Sequence, residues 1–174
     1  AMNAVRSPAV AGSFYPADPG QLRNDLASML NAVERKADAP APKAMIVPHA
    51  GYIYSGPVAA QAYARLAPAA GRIRRVVLLG PAHRVAVRGL ALPTAQGFAT
   101  PLGSVALDRE AIGQLADLPQ VVYSDESHAL EHSLEVHLPF LQAVLGEFKL
   151  VPLVVGRATP EEVAAVLERL WGGP

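Results

Sequence analysis

Short runs of branched apolar residues, each followed by Pro or Gly and then by a stretch of helical spacing, constrain this chain more than any other feature. The runs are Ala44–Val47 (AMIV), Ile73–Leu79 (IRRVVLL), Val85–Leu92 (VAVRGLAL) and Leu150–Val155 (LVPLVV). Each has the length and composition of a buried strand. Between and around them lie helices with clear starts. Asp18-Pro19 opens one, with Asp as N-cap and Pro in the first turn, and Leu22, Leu26, Met29, Leu30 and Val33 carry its apolar face to about Arg35. A second is expected from Ser55 or Gly56, burying Val58, Ala62 and Leu66 and stopping before Pro68. Asp108 caps a short helix with Ile112 and Leu115, and Thr159-Pro160-Glu161-Glu162 is a capping box ahead of Val163, Val166, Leu167 and Leu170, with Gly172-Gly173 as its stop. Strands alternating with helices indicate an α/β domain with a mixed or largely parallel sheet flanked by helices.

Less regular segments complete the reading. Val5–Pro16 is an ordered loop or short edge strand, Ala37–Lys43 a Pro/Ala connector, Pro93–Gly103 a loop, and Val121–Tyr123 a short strand. Pro139 marks either a kink in a helix or a helix that begins there. The whole span 5–174 reads as one domain. It stops just after a well-formed helix, where an α/β pattern would go on to another strand, so the chain is expected to be part of a longer protein.

Composition narrows the function classes. Of 174 residues, 51% are hydrophobic and 17% charged, which argues against disorder. Fifteen acidic residues balance fifteen basic ones and neither sign forms a long run, so no nucleic-acid groove or membrane-surface patch is indicated. Without a run of about 18 apolar residues, the expected setting is soluble and cytoplasmic. Without cysteine, thiolate ligands and disulfides are excluded within this stretch.

Chemistry is expected at histidine. Three of the five histidines lie in His128–Gln142 (HALEHSLEVHLPFLQ), together with Glu131 and Glu135. His49 stands two residues past the strand AMIV and His83 four past VVLL. Ligands of open α/β sheets bind beyond the carboxyl ends of strands, so both project over the same rim. Either alone would be an ordinary loop histidine; two in the same strand-end context point to a pocket, and His132 is the candidate to join them. Glu131 is a ligand, a base, or the orienter of a metal-bound imidazole. Glu135 and His137 read as solvated or supporting positions, and His128 as surface or supporting. The letters His128-Ala129-Leu130-Glu131-His132 also match H-x-x-E-H, which on a helix would hold zinc through the two histidines, but that leaves His49 and His83 unexplained. No Ser-His-Asp order, phosphate-binding Gly loop or dinucleotide fingerprint occurs.

Four ordered blocks carry a family resemblance: Ala11-Gly12-Ser13-Phe14-Tyr15-Pro16, Pro48-His49-Ala50-Gly51-Tyr52-Ile53-Tyr54-Ser55-Gly56, Gly80-Pro81-Ala82-His83, and Glu131 to Phe140. They resemble the Memo family, called AmmeMemoRadiSam system protein B in bacteria and archaea, from about Val5 to Trp171. The resemblance implies a fold similar to the catalytic subunit of class III extradiol dioxygenases, non-haem iron enzymes that open catechol rings. It further implies a pocket lined by His49, His83 and His132, with His49 and His83 as metal ligands; beside it, His132 and Glu131 are the candidate catalytic groups, and Tyr15, Tyr52, Tyr54 and His128 the candidate lining for a small-molecule or peptide ligand, the tyrosines reading equally as packing residues. Iron(II) or copper is the implied ion, and radical-SAM and AMMECR1-like proteins are the implied partners. Two departures stand out. Ala82 occupies a position that is more often polar in the family, and the family's later Asp-Leu-Ser-His-type motif and metal-site cysteine would fall beyond Pro174. Two functions follow as expectations, a metal-dependent dioxygenase-like redox protein or a non-catalytic peptide- or metal-binding module with a vestigial site.

Overall fold

The computed structural model describes residues 5–34 and 38–172. In chain order the elements are β1 (Val5–Arg6), α1 (Pro19–Asn31), α2 (Tyr52–Tyr63), β2 (Arg75–Pro81), β3 (Leu90–Leu92), β4 (Gly97–Thr100), β5 (Gly103–Leu107), α3 (Arg109–Gly113), β6 (Val121–Tyr123), α4 (Asp125–Ala129), α5 (Leu138–Leu145), β7 (Lys149–Val155) and α6 (Pro160–Leu170). The fold is α/β, with a mixed sheet flanked by helices. None of the described helices is long and apolar enough to cross a membrane.

β7 organises the sheet. It pairs in parallel with β2 over its whole length, from Arg75 opposite Lys149 to Pro81 opposite Val155. Its other edge is shared, the start with β5 in parallel and the end with β3 in antiparallel. β3 continues to β6, and β5 continues through β4 to β1, which lies at the edge. Helices α1, α2 and α5 pack on one another, and Leu22, Leu26, Phe140, Leu150, Leu153 and Val166 belong to one continuous apolar core. A small satellite of Ala91, Leu134 and Val154 underlies the far end of β7.

Local chemistry explains the elements that match expectation. Asp18 accepts from Gln21 N–H at the start of α1, whose Leu22, Leu26 and Leu30 are buried. Asp108 caps α3 through Ala111 N–H. Thr159 and Glu162 form both halves of the capping box of α6. Pro139 lies in the first turn of α5, so the helix begins there rather than kinking. α1 ends at Asn31 with Ala32 as its C-cap, short of the end expected near Arg35; Arg35 itself, the connector's Ala37 and the stop residue Gly173 lie outside the described residues.

Four expectations are corrected. Ala44–Val47 forms no strand: the segment joins no ladder, and Ile46 is fully exposed. The strand expected over Val85–Leu92 is confined to Leu90–Leu92, because the chain turns at Gly89 (φ 93°), where any Cβ would lie 2.1 Å from Gln120 O. The loop expected over Pro93–Gly103 contains β4, which forms an antiparallel hairpin with β5. Finally, α2 starts earlier, at Tyr52, and buries Tyr52, Ser55, Gly56, Ala59, Ala60 and Tyr63, while Val58 is 60% exposed. Small residues won this face because α2 approaches α1 closely. A Cβ on Gly56 would sit 2.6 Å from Met29 Sδ.

Candidate metal centre

Three loops deliver three imidazoles to one place. The irregular segment ending at Pro48 presents His49 just before α2, where Tyr52 N–H donates to Phe14 O at 2.8 Å and ties the Gly12–Tyr15 turn beside it. His83 follows the carboxyl end of β2, where Ala82 N–H donates to Val155 O at 3.1 Å. His132 lies in the irregular turn between α4 and α5. One ring nitrogen from each of His49, His83 and His132 lies within 4.8 Å of the others. The His83 and His132 rings stack at 4.5 Å, His49 stands 5.3 Å from His83 and 5.8 Å from His132, and Phe14 packs on His132 at 4.6 Å.

Glu131 organises the cluster. Its carboxylate accepts from the His83 N–H, from His83 Nδ1 at 2.8 Å and from Ser133 N–H at 3.0 Å, and lies 3.7 Å from His132 Nδ1. Burial by itself raises its pKa, but these hydrogen bonds and the His83 ring outweigh that and hold the carboxyl down at about 2. An ionised Glu131 accepts from His83 Nδ1 and so fixes the orientation of the ring, as a carboxylate behind a metal-binding imidazole does. Burial, then the neighbouring His83, pushes His49 and His132 below the ordinary histidine value, so both are neutral at pH 7 and able to donate a lone pair. Ser133 Oγ donates to Pro81 O at 2.9 Å and clips this turn to the end of β2.

Other residues singled out in the sequence go elsewhere. His128 is 2% exposed; its Nε2 meets Ala91 O at 2.7 Å and its ring lies against Phe98. It belongs to the interior rather than to the surface or the pocket lining, and burial pushes its pKa down to about 4. The helical H-x-x-E-H reading fails as well, because α4 ends at Ala129 and His128 and His132 share no helix face. Tyr15 and Tyr52 are buried, their hydroxyls donating to Glu135 at 2.7 Å and to Val136 O at 2.6 Å, whereas Tyr54 is 79% exposed. His137 is buried against the Tyr63 hydroxyl at 2.7 Å, and desolvation lowers it to about 4.

Glu135, read from the sequence as solvated, is fully buried. It accepts from Arg6 Nη1 at 2.8 Å, Ala9 N–H at 2.7 Å, Val10 N–H at 3.0 Å and the Tyr15 hydroxyl. Sequence reasoning passed over Arg6, Phe14 and Ser133. The two blocks containing Phe14 and Ser133 pointed to their neighbourhood, but nothing in the local pattern marked Arg6. A separate cleft of about 1240 Å³ opens at the opposite end of β2 and β7, among Arg74, Arg75, Asp108 and Lys149; it contains none of the histidines.

The chain is similar to known proteins over most of its length. A family model described as Memo-like protein matches residues 6–171. A MEMO1 family protein of Sulfolobus acidocaldarius is 38% identical over 179 residues, covering 96% of this chain and 63% of the relative. One from Ignicoccus hospitalis is 41% identical, covering 95% and 61%, and one from Aquifex aeolicus 43% identical, covering 87% and 55%. The chain thus spans about three-fifths of the length of these relatives.

Proposed function

The chain belongs to the Memo-like protein family, and from that premise we propose that it carries a mononuclear metal pocket with iron(II) or copper as its ion. The observation that carries this reading is the convergence of three imidazoles, His49, His83 and His132, with a ring nitrogen of each within 4.8 Å of the others. The donor set fits a borderline divalent ion or copper, since imidazole suits both and no thiolate is present. His49 and His83 hold the ion. Glu131 orients the His83 ring from behind. Bound iron(II) would supply the oxygen-dependent redox chemistry of non-haem sites, in which two histidines and one further ligand leave open positions. His132, unprotonated and beside the other two rings, takes a proton from a bound substrate. Phe14 covers one face of His132 and keeps water off that side.

The test is metal content by mass spectrometry on the purified protein after anaerobic Fe(II) loading and, separately, Cu(I) loading, with His49→Ala and His83→Ala alongside. One equivalent in the wild type, lost in both variants, is the expected result. Less than a tenth of an equivalent in the wild type overturns it. A second reading is a non-catalytic module that binds a peptide or small molecule. Ile53 (86% exposed) and Tyr54 (79%) favour it, because they present apolar surface in the first turn of α2, just past His49. A catechol panel with Fe(II) separates the two, since ring cleavage turns the solution yellow and a binder leaves it colourless.

A further inference from the structure

The turn that carries Glu131 and His132 has little ladder of its own. Its backbone bonds are short-range and include Glu131 N–H to His128 O at 3.3 Å, Val136 N–H to His132 O at 3.2 Å and His137 N–H to Leu134 O at 3.1 Å. What spans it is one side chain from the far edge of the sheet. Arg6, buried in β1, donates Nε to His128 O at 2.7 Å, Nη2 to Glu131 O at 2.8 Å and Nη1 to Glu135 Oε1 at 2.8 Å. The guanidinium also lies over the Phe98 ring at 5.1 Å, on the strand residue paired with Arg6 itself. A single planar fork therefore grips the turn before, at and after the cluster residues. Glu131 is held at both ends, its carbonyl by Arg6 and its carboxylate by His83 and Ser133.

We infer that Arg6 is a positioning residue for the metal pocket: it sets the height of the Glu131–His132 step against His83 and so fixes the spacing of the three imidazoles. The inference rests on the proposed metal reading for its ligand, but the geometry it describes belongs to the metal-free chain as well. Lysine cannot replace it. A compact ammonium keeps the charge beside Glu135 but lacks the rigid fork that reaches three acceptors at once.

The experiment compares the wild type with Arg6→Lys and with Arg6→Gln/Glu135→Gln, which exchanges the ion pair for a neutral amide pair. Val166→Ala is the control, a fully buried core change on α6. All are read below their melting temperatures. Co(II) is the probe, giving a dissociation constant and a d–d spectrum. The metal-free protein is read by the His132 ring Cε1–H resonance, which feels the ring currents of Phe14 and His83. The expected result is Co(II) binding about 10- to 100-fold weaker in the Arg6 variants, with an altered d–d band and a displaced His132 line. Val166→Ala should lower the melting temperature and move neither readout. A folded Arg6 variant with wild-type affinity, spectrum and His132 line overturns the inference, as does a control that moves them equally. A wild type that takes up no Co(II) refutes the iron(II) reading, and the His132 line still decides the role of Arg6.

Discussion

At the scale of single residues, the segment from His128 to His137 sorts like residues by surroundings. His132 joins a cluster, while His128 and His137 serve the interior in neutral form. Both have folded-state pKa values of about 4 against an ordinary 6.5. The unfolded chain therefore binds protons first as the pH falls. The stability these groups contribute is intact above pH 6.5 and is lost between 6.5 and 4, at most about 3 kcal/mol for each. Urea midpoints measured between pH 7 and 4 should fall steeply, and His137→Gln, which can still accept from Tyr63, should flatten the slope by about one proton. Glu131→Gln removes the charge that orients the His83 ring. Metal affinity should drop about 10- to 100-fold by equilibrium titration, and an unchanged affinity would remove the orienting role.

At the scale of elements, close approach decides what each piece contributes. Gly80, near the end of β2, leaves just enough room for the turn above it. A Cβ there would meet Ser133 Oγ at 2.7 Å and Leu134 Cδ2 at 2.8 Å. Gly80→Ala should cost about 1–3 kcal/mol by overpacking and also weaken metal binding, because Ser133 carries a donor to Glu131. Thr159→Ala, by contrast, breaks the capping box of α6 and should cost about 1 kcal/mol in thermal or urea melts with no change in metal affinity. Elements with local signals were legible: the caps of α1, α3 and α6 and the proline at the start of α5 match the structure. The strand expected at Ala44–Val47 was not, since apolar composition alone does not supply a pairing partner. Nor was the buried face of α2, where a tight helix contact selected glycine and alanine over valine.

At the scale of the whole molecule, β7 joins the sheet's separate arms, with β2 along one edge and β5 and β3 sharing the other. The histidine cluster stands at the carboxyl end of β2 and the separate cleft at its beginning. Leu150, fully buried near the start of β7, is held on one edge by β2 and on the other by β5 and the Asp108 N–H that follows it. Leu150→Ala should cost about 2–5 kcal/mol, read as a lower urea midpoint, while metal affinity of the folded protein stays at the wild-type value. A loss of both would mean that the core and the cluster are not separable.

The sequence by itself determined the α/β class, the starts of α1, α3 and α6 and the placement of His83 just past a strand, because caps, periodicity and strand-end position act over a few residues, whereas the apolar run before His49 forms no strand. The four ordered blocks also marked the family. Only the tertiary structure decided which histidines meet, which are buried, and that Glu131 and Glu135 are held rather than solvated. Their partners lie far away along the chain: His83 bonds Glu131 across 48 residues, and Arg6 reaches Glu135 across 129. No local pattern encodes such a pair. A buried carboxylate survives only where donors surround it, and those donors come together only when the sheet closes.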